Sequence, residues 1–235
     1  MLPLKDDVPS RSTPVVTITL IAVNVLAFLY QLSLGLDGEA RSAQAFIQEF
    51  GLTPCRLSGA CPTAFDIPSP VFTIFTSMFL HGGLFHVGGN MLYLWIFGDN
   101  VEDTVGHARY LVLYFGSGVA AVIAQTLTDP SSPVPMIGAS GAVSGVLGAY
   151  LILFPHAGVL TLIVFGFFVR VVRIPALIVL GMWIVVQVVN GAITYSASLG
   201  GRGPQGGVAW FAHVGGFVAG LALLFLLRPR ARDRL

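Results

Sequence analysis

The chain has 235 residues, of which 10% are Asp, Glu, Lys or Arg and 55% belong to the AVILMFWYC set. Ordinary soluble domains carry about 25% charged residues, so a water-soluble globule is excluded, and a mean hydropathy of +0.83 excludes an intrinsically disordered chain. The net charge of +1, from 12 basic and 11 acidic residues, gives no reason to expect a nucleic acid or an acidic polymer as partner.

Long apolar runs with few charges predict membrane-spanning helices over about 14–34, 75–98, 108–127, 138–154, 174–195 and 206–227. The first run follows Lys5 and Arg11, and Ala43-Gln44-Ala45 has the small-residue form of a signal cleavage site. The run is longer than the roughly 7–15 residues of a cleavable apolar region, and the candidate cut lies well downstream, so it reads as a span. The one long connection, about 35–74, holds Cys55 and Cys61; a disulfide and a pair of thiols are both compatible with that spacing. Ala157 to Val169 is apolar but only 13 residues long between Pro155 and Arg170, too short to span, and reads as a buried or interfacial connection.

Six spans place both termini on one side, and Lys and Arg accumulate in cytoplasmic segments. With the N-terminus inside, Lys5, Arg11, Arg109, Arg170, Arg173, Arg228, Arg230, Arg232 and Arg234 are cytoplasmic, leaving Arg41, Arg56 and Arg202 outside. The expectation is an all-α, polytopic six-helix bundle: a short cytoplasmic tail over 1–13, the membrane domain over 14–227, and a basic cytoplasmic tail over 228–235.

Polar groups that persist within spans are functional candidates, because burying them in a bilayer is costly. The second span carries His86 and Asn90, four apart and therefore on one helix face, with His81 off that face. The fourth opens with Gly138-Ala139-Ser140-Gly141, and the sixth carries His213 in Ala212-His213-Val214-Gly215-Gly216. All three spans enter from the outer side, so at about 1.5 Å rise per residue these groups can converge at one depth. Ser140 with His213 supplies a nucleophile and a general base; His86, Asn90 and the backbone N–H of Ser140 can donate to an oxyanion. No Asp or Glu occurs in the fourth, fifth or sixth span, which points to a dyad and not a triad. Gly141 with Gly145 and Gly216 with Gly220 let the two helices approach closely. The competing readings are a helix-capping Ser140, a proton-relay His213 in a transporter, and His86 and Asn90 as interhelical glue. A metal-dependent protease would want His-Glu-x-x-His, and no Glu follows His81 or His86.

Together, His81-x4-His86-x3-Asn90, Gly138-Ala139-Ser140-Gly141 and Ala212-His213-Val214-Gly215-Gly216 with Gly220, in that order on six spans, resemble the rhomboid intramembrane serine proteases. The resemblance runs from about Pro14 to Leu227. It implies Ser140 as nucleophile, His213 as general base and acid, and His86 and Asn90 as oxyanion-hole donors. It further implies transmembrane protein substrates cut near the outer boundary of the lipid bilayer, with no cofactor and no metal. With such short tails it suggests a multi-pass protein of a prokaryotic cell membrane. Ser144 stands where some members have an aromatic that stacks on the catalytic histidine, so His213 is expected to be held otherwise. A non-catalytic rhomboid-like binder or a small-solute transporter is the alternative.

Overall fold

The structure, a computed structural model, describes residues 1–36, 40–61, 68–199 and 207–227. Arg202 and the four arginines of the C-terminal tail fall outside them. The elements in chain order are β1 (Leu2–Lys5), α1 (Val15–Leu36), α2 (Ala40–Phe50), α3 (Pro54–Ser58), α4 (Pro70–Thr76) continued by a 3₁₀ turn (Ser77–Phe79), α5 (Leu84–Val105), α6 (His107–Thr128), α7 (Ser140–Leu153), β2 (Gly158–Phe165), β3 (Phe168–Pro175), α8 (Ala176–Leu199) and α9 (Trp210–Leu227).

Four of these helices, α1, α6, α8 and α9, are long and apolar enough to cross a membrane. The predicted second span begins differently: the segment Pro70–Phe79 meets α5 at an 83° bend, so the long helix starts only at Leu84. With α5 and the shorter apolar α7, the chain forms a six-helix membrane bundle. Apolar side chains such as Leu26, Val185 and Ile193 point outward from α1 and α8, as expected where the surroundings are lipid.

At the centre stands α7, buried continuously from Gly141 to Tyr150, which is the pattern of a helix surrounded on all sides. Its 14 residues give a length of only about 21 Å, against a hydrocarbon core of about 30 Å. Its first residue, Ser140, is half-buried at the head of that buried stretch. The α7 and α9 backbones touch: a methyl group at Gly216 or Gly220 would collide with the main chain of Gly141 or Gly145. Such proximity, open only to small residues, is what close helix pairing in lipid relies on.

Carboxylates from the end of α5 hold the start of α1. Glu102, fully buried, accepts hydrogen bonds from the Val16 and Thr17 N–H groups and from the Thr17 hydroxyl at 2.7–2.9 Å, and from the ring of His107 at 2.6 Å. Asp103 accepts from Ser12 N–H. First-turn amides have no partner within their own helix, so Glu102 caps α1 from across the bundle and adds a charge favoured by the helix dipole.

The 157–169 connection is not helical. β2 and β3 form an antiparallel hairpin, turned at Gly166 with φ +57, and β1 from the N-terminal segment adds a third strand to β2. Asp6, just past β1, accepts from Asn100 Nδ2 at 2.9 Å and from the Tyr150 hydroxyl at 2.5 Å, which ties this sheet to the bases of α5 and α7. At the opposite end, Cys55 and Cys61 form a disulfide, and Leu52 bridges Met136 beside the start of α7.

Candidate active site

Ser140 opens α7 after Gly138, whose φ of +124 is a conformation side-chain-bearing residues avoid. Glycine is also required here for space, because a Cβ at 138 would stand 2.7 Å from His86 Nε2. The Gly138 N–H donates to the Ser77 carbonyl at 2.9 Å, fixing the turn that presents Ser140. The Ser144 hydroxyl returns to the Ser140 carbonyl as an ordinary i−4 bond.

His213 lies in the first turn of α9. That helix start is capped by the side chain of Gln125 from α6, whose Oε1 accepts the N–H groups of Phe211 and Ala212 at 3.0 and 3.2 Å. Ser140 Oγ and His213 Nε2 are 2.8 Å apart. The other ring nitrogen, Nδ1, is 2.7 Å from Gln187 Oε1 of α8. Trp183, one turn before Gln187, lies over the imidazole with ring centroids 5.8 Å apart and an interplanar angle of 37°, while Trp210 meets it edge-on.

His86 and Asn90 lie on one face of α5 and line the cavity that Ser140 and His213 also line, a space of about 520 Å³. The Gly82 N–H donates to His86 Nδ1 at 3.2 Å, so in the neutral ring the proton resides on Nε2, on the side of Gly138 and Ser140. Asn90 Nδ2 is buried and has no hydrogen-bond partner among the described residues. A buried donor without a partner costs roughly 1–3 kcal/mol, and Asn90 is at the same time a residue of the cavity lining. The four residues singled out from the sequence thus meet at one cavity.

His81 is fully buried at the break before α5, with its ring edge-to-face against His86 at 5.1 Å and its backbone paired to both ends of the Gln31 amide at 2.6 and 3.2 Å. Two further residues of α8 stand at the site: Trp183, one of three tryptophans that read from the sequence as anchoring or packing residues, and Gln187, which the motifs do not mark. The signal for Gln187 was present: a buried amide within an apolar span is costly unless it has a partner. A search for carboxylates alone passes over it. Among the described residues no three His, Cys, Asp or Glu side chains converge as a metal site would require.

The chemistry available is specific. An O–H···N pair offers a nucleophile and its base, and the side chains of His86 and Asn90 line the same cavity as that pair.

The rhomboid domain model matches residues 68–230, more than half of the chain, and the chain belongs to the rhomboid family. It is 32% identical over 162 residues to RHOMBOID-like protein 1 of Arabidopsis thaliana, covering 68% of this chain and 36% of that protein. It is 30% identical over 138 residues to the rhomboid protease GluP of Bacillus subtilis, covering 59% and 24%, and 36% identical over 99 residues to the mitochondrial Rhomboid protein 1 of Saccharomyces cerevisiae, covering 40% and 29%. The matched parts are thus about a quarter to a third of these relatives' own lengths. The protein is a multi-pass membrane protein of a family consisting mostly of intramembrane serine proteases.

Proposed function

We propose that this protein is a serine endopeptidase that hydrolyses peptide bonds in or next to the transmembrane segments of other membrane proteins. The observation that carries the reading is the 2.8 Å pairing of Ser140 Oγ with His213 Nε2 in a cavity that also holds a buried, unpartnered amide donor at Asn90. A helix-capping serine or packing histidine would not need that combination.

In the proposed reaction Ser140 Oγ attacks the scissile carbonyl carbon as its proton passes to His213 Nε2. The negative charge that develops on the carbonyl oxygen is met by Asn90 Nδ2–H, His86 Nε2–H and the Ser140 N–H, aimed in advance and shielded from bulk water. Collapse of the intermediate breaks the C–N bond, and His213 returns the proton to the leaving amine. Water then enters from the end of the bundle formed by residues 40–61 and 129–138. Its oxygen attacks the acyl carbon as His213 takes its proton; the ester C–O bond then breaks, His213 returns that proton to Ser140 Oγ, and the product leaves as a free carboxylic acid that ionises in water. The charge pattern supports placing the β-sheet end, with Lys5, Arg109, Arg170 and Arg173, in the cytoplasm and the cavity toward the outer side.

A fluorophosphonate probe tests the nucleophile without knowledge of the substrate. Folded wild-type protein is expected to carry one covalent adduct at Ser140, lost in His213→Ala; equal labelling in the two proteins would remove His213 from the mechanism.

A further inference from the structure

We propose that Gln187 is a third, positioning member of this site: its amide oxygen fixes the tautomer and ring orientation in which His213 can accept the proton of Ser140. The inference rests on the protease reading above and gives a role to a residue that reading leaves idle.

The orientation of the amide is set within α8. Gln187 is buried in α8, and its Nε2 donates to the carbonyl of Trp183, one turn earlier, at 3.3 Å. The nitrogen end is thereby committed to the helix's own backbone, and the oxygen end faces His213 Nδ1 at 2.7 Å. An amide oxygen only accepts hydrogen bonds, so Nδ1 must carry the proton. In the neutral imidazole that leaves Nε2 with its lone pair directed at Ser140 Oγ, 2.8 Å away, which is the form a general base needs. In the opposite tautomer Nδ1 and the amide oxygen would face each other as two acceptors, and Nε2, carrying the hydrogen, would have no lone pair with which to take the proton of Ser140.

Trp183 completes the arrangement. Residues 183 and 187 share one face of α8; the indole lies over the imidazole while the amide holds its edge. Two constraints from one helix therefore set both the tilt of the ring and the proton's location. In serine proteases with a triad a buried carboxylate does this and also stabilises the imidazolium. An amide supplies the orientation without adding an unpaired charge to a membrane interior, where charge is expensive.

The test compares three variants in detergent micelles, each confirmed as folded by thermal unfolding: Gln187→Leu, Gln187→Met, which keeps the length without an acceptor, and Gln187→Glu, which keeps an acceptor at the same place. Two quantities are measured, turnover of a single-span reporter and the rate at which a fluorophosphonate acylates Ser140. The expected result is a fall of about 10- to 100-fold in kcat and in acylation rate for Met and Leu, with KM within about twofold, and recovery to within about fivefold of wild type for Glu. A Met variant that reacts at the wild-type rate, or a Glu variant as slow as Met, would overturn the assignment. The Met and Glu pair decides the matter even where Leu misfolds. An inactive, unlabelled wild type would instead overturn the protease reading itself, so the two failures are distinguishable.

Discussion

Ser140 Oγ and His213 Nε2 are 2.8 Å apart although 73 positions separate them in the chain, and glycines make that possible. Gly141 and Gly145 on α7 receive Gly216 and Gly220 of α9 against bare backbone, so the two helices lie closer than any larger residue permits. Gly220→Ala is accordingly expected to lose stability, by about 1–3 kcal/mol for an overpacked contact, and to lose reporter cleavage with it. Gly181→Ala is the control: a Cβ there meets nothing within 4 Å, and the melting temperature in micelles should hold. Equal melting temperatures for the two variants would contradict this account of the helix contact.

Asn90 Nδ2 donates to nothing among the described residues, so no hydrogen bond of that donor is lost when the side chain is truncated. Asn90→Ala should leave thermal unfolding nearly unchanged while slowing reporter turnover by about 10- to 1000-fold, the range for one oxyanion donor. A variant that melts early but turns over normally would make Asn90 a packing residue.

Much of this site was legible in the sequence because intramembrane polar groups stand out against an apolar background. Ser140, His213, His86 and Asn90 needed only the spacing rules of helices to be placed together. Gln187 does not stand out in the sequence because a neutral amide carries no charge to mark it within an apolar span, although its oxygen lies 2.7 Å from His213 Nδ1. The hairpin over 158–175 was missed for a different reason: Gly158–Phe165 is a nearly continuous apolar run, and such a run has no period that distinguishes strand from helix. The partner strand at Leu2–Lys5 is four residues long and joins by a pairing too distant in sequence for local signals to reveal. The spacing of Cys55 and Cys61 left their pairing open, and the disulfide emerged only from the fold around Ser132 and Leu52.

Glu102 satisfies the first-turn amides of α1 from α5. Glu102→Ala strands those buried donors and should lower stability by about 2–3 kcal/mol, with Glu102→Gln, which can still accept one bond, costing about half as much. Chemical or thermal unfolding in micelles measures the series. A Glu102→Ala protein as stable as wild type would mean that α1 is held by its apolar face alone.

Asp6 gives the sheet end a pH dependence. Burial pushes its carboxyl up from 3.8 to about 6, with repulsion from Asp99 and Asp7 adding to the rise and the Tyr150 hydrogen bond opposing it. Between about pH 4 and pH 6 the folded protein therefore holds a proton that the unfolded chain has released, and stability from this group falls as pH rises through that window. Asp6→Asn, set between Asn100, Tyr150, Asp7 and Asp99, should flatten that part of the profile. Parallel stability profiles for wild type and Asp6→Asn from pH 4 to 8 would contradict it.

Cleavage of peptide bonds at the membrane by a Ser140–His213 pair is tested most directly by incubating a generic single-span reporter with purified protein in liposomes, comparing wild type, Ser140→Ala and His213→Ala and reading the product masses. Two fragments are expected from wild type alone, their masses placing the cut at one defined bond near the boundary of the reporter's membrane segment. Wild-type-level cleavage by Ser140→Ala, or an intact reporter with folded wild-type protein whose Ser140 takes no fluorophosphonate, would contradict it.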